Sequence, residues 1–154
     1  MGCDIHIHAE RKTSSGGYER IPDLEPFGDR RYGTFGFLAG VRNYSGIQPI
    51  AEPRGIPEDI SSDVATDYND WGFDAHSASW LSVDELVPYN YDQTIEDRRV
   101  TRQIAPNLWD GGCTAEPGEG KATTLREFLG EGFFEDIEKL KSSGADRIVF
   151  WFDN

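Results

Sequence analysis

The sequence predicts an α+β domain, mostly antiparallel, with its first and last strands in one sheet. Three observations carry this. Residues 3–10 alternate strictly, Cys3, Ile5, Ile7 and Ala9 apolar against Asp4, His6, His8 and Glu10, which is the period of a strand. Residues 147–153, Arg-Ile-Val-Phe-Trp-Phe-Asp, are apolar on both faces, as a central buried strand is. Between them lie capped stretches with apolar residues at helical spacing. At 154 residues the chain is expected to form a single domain, 1–154, large enough for a real core.

In order, the first strand is expected to run through Arg11 and Lys12. Thr13-Ser-Ser-Gly-Gly17 reads as a turn and Tyr18 to Ile21 as the returning strand. Asp29 is placed to cap a short helix ending at Gly40. Residues 40–57 contain three prolines and three glycines and read as a long loop anchored by Val41, Tyr44, Ile47, Ile50 and Ile56. Ile60, Val64, Tyr68 and Trp71 recur on one helical face, with Ser61 or Ser62 as cap and Gly72 as stop. Residues 72–81 read as a polar loop. Ser82-x-x-Glu85 and Thr124-x-x-Glu127 are capping-box spacings. Gln93 to Ile104 reads either as a helix or as a strand and loop, and 110–113 and 117–120 read as turns. Leu125, Phe128 and Leu129, then Phe133, Phe134, Ile137 and Leu140, form a stripe broken near Gly130 and closed at Gly144.

Composition narrows the partners. The chain has 28 acidic against 15 basic residues, net −13, whereas long nucleic acid and anionic membranes need an electropositive footprint. The basic residues are mostly arginine, suited to bidentate recognition of phosphate or carboxylate. Cys3 and Cys113 do not suggest a disulfide framework, and neither a signal-peptide pattern nor an apolar run of about 18 residues is read. A cytoplasmic location is therefore expected, without a membrane partner and with oligomerisation left open.

The polar face of residues 4–10 holds two of the three histidines. Histidines two apart on a strand have Cα atoms about 6.6 Å apart and can converge on one ion. Asp4 and Glu10, about 20 Å apart when extended, cannot both join them. Asp4 is the better third ligand and His76 a further one, which gives a divalent metal, zinc or manganese, held by His6, His8, Asp4 and His76. The metal-free alternative uses His6 or His8 against His76 as general acid and base, with Asp74 as companion and Arg42 and Arg54 as phosphate clamp. Asn43, Tyr44 and Trp80 complete the candidate ligand contacts. Cys113 as a nucleophile served by His76 is a weaker reading, and Arg98, Arg99 and Arg102 read as a solvated basic face.

Asp-x-His-x-His on a first strand resembles the opening of amidohydrolase and PHP-type metal-dependent hydrolases. Those are barrels of about 250 residues, so only the use of a strand face carries over. A broader resemblance rests on Met-Gly-Cys-Asp-Ile-His-x-His-x-Glu at residues 1–10, Ala39-Gly-Val-Arg-Asn-Tyr44, Glu52-Pro-Arg-Gly-Ile-Pro57 and Asp74-Ala-His-Ser-Ala-Ser-Trp-Leu81. These blocks resemble a group of small proteins found in phage and bacterial genomes. The resemblance implies one site built from His6, His8, Arg42, Asn43, Arg54, Asp74 and His76, and a phage counter-defence role in the host cytoplasm.

The leading expectation is a small hydrolase, a phosphoesterase acting on a nucleotide or nucleotide-derived signal. The alternative is a non-catalytic protein that sequesters such a ligand in an arginine and aromatic pocket. A third reading is an interaction protein whose histidine row is incidental.

Overall fold

The computed structural model describes residues 2–154, apart from the side chains of residues 101–104 and 108–113. Strand β1 (Asp4–Lys12) turns into β2 (Tyr18–Arg20), as the alternation and the Ser-Gly turn imply. Helix α1 (Tyr32–Ala39) follows, then the long loop, α2 (Ser62–Trp71), a 3₁₀ turn over Gly72–Asp74, β3 (His76–Ser82) and α3 (Val83–Leu86). Next come β4 (Thr94–Asp97), β5 (Arg99–Ala105), β6 (Leu108–Thr114) and β7 (Lys121–Thr124). The chain ends with α4 (Leu125–Leu129), α5 (Glu131–Ser143) and β8 (Arg147–Asp153).

The main sheet has four strands in the order β2-β1-β8-β3, all neighbours antiparallel. The first and last long strands thus pair along their length, Asp4 opposite Asp153 and Glu10 opposite Arg147. Two-stranded ribbons, β4 with β7 and β5 with β6, lie outside this sheet. The fold class is α+β.

Both faces of the sheet are covered, which is why β8 is apolar on both sides. On one face Cys3, Ile5, Ile7, Ala9, Ile148, Phe150 and Phe152 join the main core with side chains of α1, α4 and α5. On the other, Val149 and Trp151 pack with Val64 of α2, flanked by Ile60, Tyr68 and Trp71. Trp151, Phe150 and Phe152 are completely buried, each worth about 1.5–3 kcal/mol of apolar transfer. Glu10, His8 and His6 of the β1 polar row therefore pack against α2 and its N-cap, while Asp4 stays half exposed.

Several local expectations change. Asp29 does not cap α1; Arg31 holds the N-cap position and pairs with Asp29 at 3.7 Å. The 72–81 stretch is not a loop throughout, because β3 pairs with β8 through a bulge between His76 and Ser79 that interrupts the alternation. Residues 94–97, 99–105 and 108–114 are strands, and 110–113 continue β6 instead of turning. Both helix caps hold: Ser82 and Glu85 form the reciprocal box, and Thr124 Oγ1 accepts from the Glu127 amide. Gly40 ends α1 at φ 72°, a left-handed conformation that costs glycine little. Among the described residues no helix is long and apolar enough to cross a membrane.

Candidate functional site

Every side chain of the β1 polar row has a charged neighbour, and the environment changes steadily along the strand. Glu10 is fully buried; its Oε1 accepts from Arg147 Nε at 2.7 Å and its Oε2 from the Ser61 amide at 2.8 Å. Arg147 also donates to Asp59 Oδ1 at 2.7 Å and lies 3.4 Å above the Tyr18 ring centroid. Burial works against the Arg147 charge, but Asp59 and Glu10 overcome it and raise its pKa. Asp59 is lowered in turn by that hydrogen bond. His8, 9% exposed, donates from Nε2 to Asp67 Oδ2 of α2 at 2.7 Å.

His6 is half-buried, 4.0 Å from the Trp71 ring and 6.2 Å from Trp151. Its Nε2 lies 3.4 Å from Asp153 Oδ2, close enough for an ion pair but out of line for a hydrogen bond. Asp4 takes two 2.8 Å bonds from Arg30, and these hold its carboxyl below the ordinary range.

The imidazoles of His6 and His8 thus face separate carboxylates, Asp153 and Asp67. Among the described residues no three His, Cys, Asp or Glu groups are arranged to hold a metal ion. The four expected zinc or manganese ligands, His6, His8, Asp4 and His76, are not gathered into one group here. His76 belongs elsewhere. It pairs opposite Phe152 on β3, two strands from β1, and its ring lies 6.1 Å from that of Phe152 on the main-core face. The structure does not bring it to His6 and His8, which share the opposite face with Trp151 and Val149.

His76 instead has company at the end of the sheet. Because β8 runs antiparallel to β1, its polar tail arrives beside Cys3 and Asp4, while the loop after α1 brings in Arg42 and Tyr44. Asn154 Oδ1 lies 3.3 Å from His76 Nε2 and 3.4 Å from Arg42 Nη2. Arginine has only donors, so the Asn154 atom facing it must be the oxygen. In the neutral imidazole Nε2–H then donates to Asn154, and Nδ1 accepts from the Ser77 hydroxyl at 3.0 Å. Arg42 also donates to Tyr44 Oη at 3.0 Å and lies 5.6 Å from the Tyr32 ring centroid. Tyr32 Oη accepts from the Cys3 amide at 3.1 Å. Burial pushes the Cys3 thiol pKa up, with Arg42 opposing the shift.

Two of these residues carry unusual backbone. Arg42 has φ 50° and Ser77 φ 54°, left-handed values that cost side-chain-bearing residues energy. Such strain persists where the surroundings fix it, commonly at functional positions.

The remaining candidates have structural engagements. Asn43 bonds Ile47 through both its amide nitrogen, at 2.7 Å, and its oxygen, at 3.0 Å, closing the loop under α1. An added Cβ at Gly36 would meet Asn43 Oδ1 at 2.9 Å, so the glycine permits that approach. Arg54 donates from Nη1 to Glu85 Oε2 at 2.9 Å and lies 4.7 Å from the Trp80 ring centroid. That pairing pulls the Glu85 carboxyl down to about 2. Trp80 packs against the α2-side core, and Asp74 is exposed on the 3₁₀ turn. The side chains of Cys113 and Arg102 lie outside the described residues. Sequence reasoning missed Asn154, Asp153, Tyr32 and Asp67, whereas Ser77 was legible as a hydrogen-bond partner of His76. The one local signal was the Asp-Asn ending of an otherwise apolar strand.

No family model, curated protein or solved structure matches the chain.

Proposed function

We propose that the chain binds a small phosphate-bearing ligand of nucleotide size at this end of the sheet and hydrolyses its phosphoester. The observation that carries the reading is the sharing of Asn154 Oδ1 by Arg42 and His76, which sets a cation and an imidazole side by side. The guanidinium suits the non-bridging phosphate oxygens, which it meets in planar, paired geometry. The imidazole can serve as a general acid or base. Tyr44, 48% exposed beside Arg42, offers a ring on which a planar base can stack. Arg54 takes no part, being committed to Glu85.

A sequestering protein would use the same contacts without turnover. Incubating the protein with mononucleotides and dinucleotides, then chromatographing the mixture before and after heat denaturation, separates the two. Hydrolysis predicts dephosphorylated or cleaved product, lost in His76→Ala. Intact nucleotide released only on denaturation would select sequestration, and no binding of any phosphate compound by calorimetry would sink both.

A further inference from the structure

The bond between His76 and Ser77 has a direction, and that direction matters for chemistry. Arg42 can only donate, so Asn154 presents oxygen; oxygen can only accept, so His76 Nε2 carries a proton; in the neutral ring Nδ1 is then a lone pair aimed at the Ser77 hydroxyl 3.0 Å away. A hydroxyl, a basic nitrogen within hydrogen-bond reach and a third group orienting the base make up the arrangement of an activated nucleophile.

The backbone supports the same assignment. Ser77 lies within the bulge where β3 leaves its register with β8, and bulges commonly re-aim a side chain beside a site. Its φ of 54° is one that serine adopts only when held. Ser77 and His76 are both partly exposed, so a substrate can reach them. A histidine merely satisfied by its neighbour requires neither the strain nor an orienting group shared with an arginine.

We infer that Ser77 is a nucleophile, with His76 as its general base and Asn154 as the positioning residue, acting on an electrophilic phosphorus centre held by Arg42. The assignment rests on the phosphoester reading above. In the first step Ser77 Oγ forms a bond to phosphorus while the bond to the leaving oxygen breaks. The Oγ proton passes to Nδ1, which returns it to the departing alkoxide. In the second, water attacks phosphorus, gives a proton to Nδ1, and Oγ leaves and takes that proton. The net change is hydrolysis, with water the only co-reactant. Through both steps Nε2–H stays on Asn154 Oδ1, which fixes the ring plane and steadies the imidazolium.

A fluorophosphonate probe tests this without knowledge of the substrate. Attack forms the Oγ–P bond, expels fluoride and leaves a mass increment that peptide mapping can locate. The expected result is one label per chain on Ser77, absent in Ser77→Ala and formed at least ~100-fold more slowly in His76→Ala, the scale of a lost general base. Asn154→Ala should slow labelling about tenfold and Asn154→Asp, which keeps an acceptor oxygen, should restore much of it. Circular dichroism on each variant separates loss of the group from loss of the fold. Absence of labelling in the wild type, labelling elsewhere, or a Ser77 rate indifferent to His76 would overturn the assignment. Calorimetry with AMP on Ser77→Ala separates the two proposals. Binding by that variant beside an unlabelled wild type would leave the phosphate site standing and remove the nucleophile. A labelled wild type that binds neither AMP nor inorganic phosphate would do the reverse.

Discussion

The two ends of β1 use the same residue types for opposite purposes. At one end Glu10 is sealed between Arg147 and the Ser61 amide, with Asp59 completing the arginine's contacts. At the other, Asp4 and Arg30 form an equally short pair with side chains about half exposed, 49% and 53%. Distance does not distinguish them; solvent does. A carboxylate without water depends on its partner, whereas one that keeps water loses little when the partner goes. The row that looks uniform in the sequence thus grades from a structural pair, through His8 clamped by Asp67, to a solvent-exposed polar rim.

Glu10→Ala tests the buried end and carries the largest expected effect. It strands the Arg147 guanidinium with Asp59 alone and should cost about 3–5 kcal/mol, whereas Asp4→Ala should cost below about 1 kcal/mol. Urea denaturation of both variants measures the contrast. Equal costs at the two ends would dissolve it.

Arg42→Ala should sharpen the functional side. A charged hydrogen bond is worth about 1.5–3 kcal/mol, so affinity for a bound nucleotide should fall about 10- to 100-fold in calorimetry. The urea midpoint should move little, because Arg42 lies at the rim and not in either core. Asp67→Asn lies between the extremes: it keeps the shape of the α2 contact but removes the charge facing His8, for about 1 kcal/mol of stability. Hydrogen exchange should then rise in α2 more than in β8.

What was legible in the sequence follows from how locally each feature is determined. The alternation of residues 3–10, the two-sided apolar run of β8, the Ser82 and Thr124 caps and the glycine stops each rest on a few neighbouring residues. What covers the polar face of β1 does not. Asp67 is one acid among many in α2, and only three-dimensional packing sets it on His8. The bulge at Ser77 hid β3, since alternation is the signal of a strand and a bulge breaks it. His76 appeared to complement His6 because histidines are scarce here, but residue type carries no information about which sheet face a strand presents. Asn154 was the least accessible. Its placement depends on the pairing of Asp4 with Asp153, 149 positions away in the chain.

The smallest effect tests whether burial alone governs the buried end. Arg54 and Glu85 lie near it, Ser82 of the same box pairing opposite Arg147, yet their side chains are 28% and 37% exposed. Glu85 is pulled from 4.5 to about 2, first by the Arg54 hydrogen bond and then by the Ser82 contacts working against desolvation. A carboxyl more acidic in the folded chain stabilises it fully above pH 4.5, where both states are ionised. As pH falls from 4.5 towards 2 the unfolded chain takes up a proton that the folded chain refuses, and the stabilisation drains away. With solvent screening the contribution is about 1 kcal/mol. Urea midpoints at pH 6 and pH 3 should therefore differ by about 1 kcal/mol more in the wild type than in Glu85→Gln. A difference as large as that from Glu10→Ala would mean that position in the sheet, and not exclusion of water, sets the strength of these pairs.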